Sequence, residues 1–148
     1  MACRTFTNGY SARMTWSRAI LLLPALVLAS NAFCSETAWP GEYANNHFLK
    51  GQAAFQLTIE ESGGALQVSF NAAYNDAHGA APDGEGEAKI TGDNTLQFKW
   101  QDSFKNAGTG RIARAGEDII VSMKTTRIVD SRCLVFYGHK MRLKPVKK

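Results

Sequence analysis

The residues best suited to chemistry are concentrated in one polar stretch, residues 75–87, which reads NDAHGAAPDGEGE. Its carboxylates could supply hard oxygen ligands for Ca²⁺, and the imidazole of His78 could add a nitrogen ligand for a softer metal. The stretch lacks the spacing of acidic and amide residues that an EF-hand loop requires. In a strand, Glu85 and Glu87 would share one face, which is typical of a solvated surface. We therefore interpret the stretch as a long hairpin loop and predict neither a metal ion nor a cofactor.

A hydrolytic site would need a serine or cysteine beside a histidine and an orienting acid. Ser103, Asp102 and His78 could be assembled in this way, but no strained-turn motif such as G-x-S-x-G accompanies them. No spacing in the chain forces two carboxylates to the fixed separation that glycoside hydrolysis requires. The sequence therefore predicts no catalytic residue. A small periplasmic hydrolase that uses His78 with Asp102 or Glu85 is kept as the third alternative.

A second loop, residues 101–108, places the aromatic ring of Phe104 among polar and glycine residues. Because aromatic residues are frequent hot spots of interfaces, Phe104 is a candidate contact for a protein partner. The alternative is that its ring folds back into the barrel end, since apolar side chains usually become buried. The residues predicted to bind a partner or ligand are Tyr43, Tyr74, Asp76, His78, Asp102 and Phe104.

The beginning of the chain has the features of a secretory signal. Three arginines and no acidic residue precede the apolar run 19–29, whose eleven residues are fewer than the roughly 20 of a transmembrane helix. Small residues then follow, and they predict cleavage after Ala32, with Ala29 as the alternative. We expect residues 1–32 to be removed and residues 33–148 to form one domain in the periplasm or outside the cell. No stable membrane span is predicted in this mature chain.

The net charge of the mature chain differs from that of the whole sequence. The 17 basic and 13 acidic residues give +4, but three of the basic residues leave with the signal, and the mature value is +1. Five of the remaining basic residues lie in the last nine positions, so residues 33–139 carry a net charge of −4. Nucleic-acid binding requires a basic patch on the folded body. We therefore predict no nucleic-acid partner.

Two cysteines, Cys34 and Cys133, remain after the removal of the signal. An even number in an oxidising compartment predicts a disulfide, which would close a loop of about 100 residues and stabilise the fold by roughly 4–5 kcal/mol. Two free thiols, or an unpaired Cys34 at a frayed end, are the alternatives. The bulky Phe33 stands where a lipobox has a small residue, which argues against lipidation of Cys34.

Period-two alternation of apolar and polar residues runs through the chain after residue 35 and is clearest in residues 55–59, 66–72 and 96–100. Gly, Asp and Asn turns separate these runs at fairly even spacing. The pattern predicts an all-β, single antiparallel meander of about eight strands, folded as a small barrel or a sandwich. Residues 132–138 are almost continuously apolar and are predicted to form the most buried strand.

A weak internal repeat aligns residues 84–96 with residues 108–120, and each copy begins with G-x-G and continues through an acidic turn into an apolar strand. Glycine at the opening of a strand removes a side chain where strands of a small barrel curl or crowd. We therefore interpret each copy as one hairpin.

The segment Trp39-Pro40-Gly41-Glu42-Tyr43 resembles the G-x-W opening strand of calycins, the superfamily of lipocalins and avidins, with Tyr43 in place of the tryptophan. This resemblance implies an eight-stranded barrel in which Arg142, in the last strand, packs across the opening aromatic residue. The tryptophan set of an avidin-type biotin site is missing, because only Trp39 and Trp100 remain in the mature chain. The inhibitor loop of the small-barrel lysozyme inhibitors is also missing.

These features predict an exported, non-catalytic binding protein of the protein-binding or inhibitor type. The second alternative is a carrier that holds a small apolar ligand in its barrel. Bulky residues at predicted interior positions favour the first version, because they would fill the interior of an eight-stranded barrel. These residues are Phe55, Leu57, Phe70, Phe98, Trp100 and Phe136.

Overall fold

A computed structural model describes residues 38–147, which form eight antiparallel strands closed into a barrel. The strands are β1 (Gly41–His47), β2 (Ala53–Ser62), β3 (Ala65–Tyr74), β4 (Asp83–Gly92), β5 (Thr95–Asp102), β6 (Ala107–Ala115), β7 (Asp118–Arg127) and β8 (Met141–Pro145). Each strand pairs with the next, and β8 pairs with β1 at Tyr43↔Pro145. The predicted all-β meander is confirmed, and it closes as a barrel rather than as a sandwich.

The alternation in the sequence determines which side chains fill the barrel. Along β2, Phe55, Leu57 and Ile59 are at most 1% exposed, whereas Gln56 and Glu60, at alternate positions, face solvent. β3 and β5 follow the same rule with their apolar residues inside. All the bulky residues that the sequence placed in the interior are buried there.

The two ends of the barrel differ in the length of their connections. At one end, here called the hairpin end, tight turns at residues 63–64, 93–94 and 116–117 join the strands. At the other end, the loop end, the chain passes through residues 48–52, 75–82, 103–106 and 128–140. The loop end therefore contains most of the irregular backbone of the described chain.

The glycines of the internal repeat lie opposite large rings on the neighbouring strand. Gly110 pairs with Phe98 and Gly108 with Trp100, while Gly84 pairs with Phe70. A Cβ atom on Gly110 would lie 2.2 Å from the Phe98 ring, and one on Gly84 would lie 2.6 Å from the Phe70 ring. The two G-x-G strands thus provide the space that the aromatic rings occupy inside the barrel.

The prediction of a buried strand at residues 132–138 is wrong. Ser131–Phe136 forms a 3₁₀ helix, and the carboxylate of Asp130 caps it by accepting a hydrogen bond of 3.0 Å from the backbone N–H of Arg132. Cys133 and Phe136, three positions apart, are fully buried, whereas Val135 is 42% exposed. The apolar run therefore follows the three-residue period of a 3₁₀ helix instead of the two-residue period of a strand.

The expected packing of Arg142 across Tyr43 is also not found. Arg142 faces outward on β8, and its Nε donates a 2.7 Å hydrogen bond to the carboxylate of Asp118, whereas Tyr43 faces the interior. A comparable contact is made at the hairpin end by Arg114, whose guanidinium lies 4.3 Å from the centroid of the Trp39 ring. An arginine therefore does stack on an aromatic ring, but the pair is Arg114 and Trp39 instead of Arg142 and Tyr43.

Candidate functional site

Five of the six residues predicted to bind a partner belong to the loop end. Tyr74 ends β3, Asp76 and His78 follow in the loop 75–82, and Asp102 ends β5 just before Phe104. They share this end because β3 and β5 run in the same direction in an antiparallel meander. The sixth residue, Tyr43, is 6% exposed and points into the barrel from β1, so the structure does not bring it together with the others.

Asp102 is a buried carboxylate whose partners hold the loop end together. It is 3% exposed and accepts hydrogen bonds of 2.8 Å from both the backbone N–H and the side-chain Nδ2 of Asn106. The hydroxyl of Tyr137 donates a third hydrogen bond to it. Oδ1 of Asn106 accepts in turn from the backbone N–H groups of Val129 and Asp130, at 2.7 and 2.9 Å. One polar network thus joins the loop 103–106 to the connection 128–140.

The loop that carries Phe104 is fixed by several further hydrogen bonds. The N–H of Asp102 donates to the carbonyl of Asn106 at 2.9 Å, and the N–H of Lys105 donates to the carbonyl of Asp102 at 3.0 Å. The carbonyl of Lys105 accepts from Nε and Nη2 of Arg127, at 3.1 and 2.8 Å. Phe104 is half-buried, so its ring neither fills the barrel end completely nor stands fully in solvent.

Aromatic rings pack below these loops and fill the barrel. The ring of Tyr137 lies 4.5 Å from that of Trp100 and 6.0 Å from that of Phe70, measured between centroids. The ring centroids of Tyr74 and Phe136 are 5.2 Å apart, and the two rings meet edge to face. The 3₁₀ helix supplies Phe136 and is followed directly by Tyr137, and it therefore covers the barrel interior at this end.

Three exposed aliphatic residues at the loop end were not recognised as binding residues from the sequence. Ile128 and Val129 are 58% and 62% exposed, and Val135 is 42% exposed. The first two adjoin the Phe104 loop, because the N–H of Val129 bonds to Asn106 and Arg127 bonds to Lys105. Sequence reasoning placed Val135 in the buried strand predicted at residues 132–138 and gave Ile128 and Val129 no binding role. In the sequence, Ile128 and Val129 stand directly before Asp130, which caps the 3₁₀ helix. This position is the signal that could have placed them in a connection at the loop end.

The residues from which a hydrolase could be built have other partners in the structure. His78 and Asp76 form an exposed pair in which Nδ1 and Oδ2 are 3.9 Å apart. The hydroxyl of Ser103 accepts a hydrogen bond of 3.4 Å from the backbone N–H of Asp83. The carboxylate of Asp102 is engaged by Asn106 and Tyr137, as described above.

Burial and hydrogen bonding shift the pKa values of Tyr137, Cys133 and Asp130 at the loop end. Burial, followed by the hydrogen bond to Asp102, raises the pKa of Tyr137 far above its ordinary value. Burial also raises the pKa of the Cys133 thiol, with a further contribution from the negative charge of Asp102. The hydrogen bonds from Arg132 lower the pKa of Asp130 to about 2. Tyr137 and Cys133 are therefore neutral at ordinary pH, which suits a structural network.

Cys133 is fully buried and is not bonded to another cysteine within residues 38–147. Its predicted disulfide partner Cys34 lies outside residues 38–147, as does the predicted signal peptide 1–32, so both predictions stay open. Among residues 38–147, no group of three histidine, cysteine or acidic side chains is placed to share a metal ion. No helix within the same range has the length and apolar character needed to cross a membrane.

The fold defines the class of this protein as a small, closed, eight-stranded antiparallel meander barrel. No protein-family model matches the sequence, and a search of curated proteins finds no significant relative. The features of this chain that bear on its function are therefore those of its own structure, above all the loop end.

Proposed function

We propose that this chain is an exported, calycin-like barrel that binds another protein through its loop end. The observation that carries the proposal is the arrangement of three apolar residues there. Phe104 is half-buried at the tip of its loop, and Ile128 and Val129, on the segment that is hydrogen-bonded to this loop, are more than half exposed. Exposed apolar residues that adjoin an aromatic residue and have a polar rim are typical of protein-binding surfaces.

The polar network of Asp102 supports this function by holding the surface in one shape. Asn106, which ends the loop that carries Phe104, donates its backbone N–H to Asp102. Its side-chain oxygen accepts from the N–H of Val129 and so joins the two segments. A loop that is ordered before binding loses less conformational entropy when the complex forms. The hydrogen bonds at the loop end therefore favour a preformed binding surface.

The barrel interior favours a protein partner over the alternative of a small apolar ligand. Phe55 and Phe136 are fully buried, and the ring of Phe55 stacks on that of Phe70 at 5.9 Å between centroids. The interior of an eight-stranded barrel is just wide enough for its side chains or for one small ligand, and here side chains occupy it.

Photo-crosslinking tests this proposal. A photoreactive phenylalanine derivative at position 104, introduced into the chain in its native compartment, is expected to give one discrete protein adduct. The same residue at position 117, in a turn of the hairpin end, is expected to give none. Val129→Asp should remove the adduct, since a charge would lie within the apolar surface.

Val146→Asp is the matched control, because Val146 is also exposed, at 45%, and lies in the tail outside the loop end. The adduct should persist in this variant. Equal labelling from positions 104 and 117 would contradict the proposal. A small apolar molecule retained by the purified protein in native mass spectrometry would support the carrier instead.

A further inference from the structure

The outward-facing side chains of β4 to β7, here called the outer wall, form two rows across the strands. In one row, Lys89 pairs with Gln97, Gln97 with Arg111, and Arg111 with Ser122. In the next row, Lys99 pairs with Thr109 and Thr109 with Lys124. The register thus places cationic side chains alternately with uncharged amide and hydroxyl side chains.

Each of the four strands contributes one cation to these two rows, and together these four residues are called the cationic stripe: Lys89, Lys99, Arg111 and Lys124. Neighbouring strands lie about 5 Å apart, and two residues along a strand cover about 7 Å. Successive cations in the zigzag are therefore about 8 Å apart, and the stripe crosses about 15 Å of the wall.

The cations of the stripe are available to a ligand. All four are exposed, and none forms an ion pair with a carboxylate within residues 38–147. They line a shallow groove of about 780 Å³, to which Glu87 contributes the single carboxylate among the described lining residues. The positive charge is local, which explains why the net charge of −4 for residues 33–139 did not reveal it.

We propose that the outer wall binds an acidic polysaccharide that crosses β4 to β7. Its carboxylate or sulfate groups contact the cationic stripe, and its hydroxyl groups bond to the amide and hydroxyl side chains between the cations. Gln97 and Thr109 supply donors and acceptors at these intermediate positions, and the hydroxyl of Ser122, which accepts from the N–H of Lys140, supplies a donor. This site lies on the strands, apart from the loop end through which we propose that the chain binds another protein.

Two other anionic partners fit the wall less well. Single-stranded nucleic acid is usually held by aromatic rings on which the bases stack. The aromatic residues of β5, Phe98 and Trp100, are 3% exposed and face the interior. A membrane surface is usually bound with apolar side chains inserted below the head groups. The intermediate residues of this wall are polar instead.

Titration of the protein with heparin and with polygalacturonate at low salt tests the proposal. Lys99→Gln combined with Arg111→Gln removes the two central cations and should weaken binding roughly tenfold, because the charged contacts of both strands are lost. Lys144→Gln with Lys147→Gln removes the same charge from exposed positions of β8 and the tail. This control should change the affinity less than about twofold, since its lysines lie outside the groove.

Glu87→Gln gives an independent measurement, because it removes the carboxylate beside the stripe and should strengthen binding a few-fold. Thermal unfolding of each variant verifies that the barrel is intact. Equal losses in the two double variants would overturn the proposal, because net charge alone would then explain the binding. Tighter binding of a single-stranded oligonucleotide or of phosphatidylglycerol vesicles at the same salt concentration would also overturn it, as would the absence of binding to both polysaccharides.

Discussion

Asp102 shows how a single buried carboxylate can organise the loop end. A charge in the protein interior is tolerated where hydrogen bonds replace the lost water, and Asp102 receives them from Asn106 and Tyr137. Its donors come from two different connections between strands. The carboxylate therefore couples the position of Phe104 to that of the 3₁₀ helix, and its partners are the residues most informative to change.

Tyr137→Phe should destabilise the barrel by about 1–3 kcal/mol near neutral pH, since Asp102 would lose one of its donors while it stays buried. The difference from the wild type should shrink as the pH rises above about 10. The unfolded chain then releases the proton of Tyr137, whose ordinary pKa is 10.0, while the folded wild type retains it because its pKa is raised. The wild type therefore loses stability with rising pH through this group, and the variant does not.

Urea unfolding of both proteins at pH 7 and pH 11 measures this effect. Tyr74→Phe is the matched control, because the hydroxyl of Tyr74 makes no hydrogen bond within the described residues 38–147. A loss in the control as large as that in Tyr137→Phe would show that the hydrogen bond to Asp102 is not the cause. So would a constant difference between wild type and Tyr137→Phe at the two pH values.

Sequence reasoning identified Asp102 and Phe104 from their types and from their loop, but it did not identify their partners. Tyr137 lies 35 positions beyond Asp102, and the two meet only because the 3₁₀ helix brings the chain back over the barrel end. Asn106 was included in the loop as one polar residue among several. Its importance depends on the backbone N–H groups of Val129 and Asp130, which no sequence pattern places beside it.

At the scale of elements, the alternation of apolar and polar residues predicted the strands correctly but did not predict the 3₁₀ helix. The faces of β2, β3 and β5 followed directly from period-two patterns, because one face of each strand is buried. The apolar run after Asp130 satisfies a strand and a 3₁₀ helix equally well. What decides between them is the need to cover the loop end of the barrel, where Cys133 and Phe136 point inward.

The crowding of β4 against β5 gives a sharp test at this scale. A Cβ atom on Gly86 would lie 1.5 Å from the carbonyl oxygen of Lys99, which is backbone and cannot rotate away. Gly86→Ala should therefore force the two strands apart and cost at least about 1–3 kcal/mol in urea unfolding.

Gly92→Ala is the control in the same strand, because a Cβ atom there would meet only the Cβ of Thr95, at 4.0 Å. Its stability should change by less than about 0.5–1 kcal/mol, and an increase is reasonable because alanine restricts the unfolded chain. If the two substitutions had equal effects, the close approach of β4 to β5 would not be the reason for the glycine.

At the scale of the whole molecule, the barrel separates two kinds of surface. The loop end combines exposed apolar residues with a rigid polar network, and the outer wall of β4 to β7 carries the cationic stripe. The strands of a closed barrel are fixed by pairing on both sides, so substitutions on the wall should leave the loop end in place. The two proposals can therefore be tested in the same chain without interfering with each other.

The mass and the thiol content of the whole molecule test the predicted export and the predicted disulfide together. We expect a chain that begins at Phe33 and has a mass two hydrogens below the fully reduced value, as the predicted signal and disulfide require. Iodoacetamide should not label the folded protein, because the predicted disulfide leaves neither Cys34 nor Cys133 with a thiol. After unfolding without reductant the bridged chain should still resist labelling, and after reduction it should take two labels. Two labels before reduction would establish free thiols, and an intact mass that includes Met1 would contradict export.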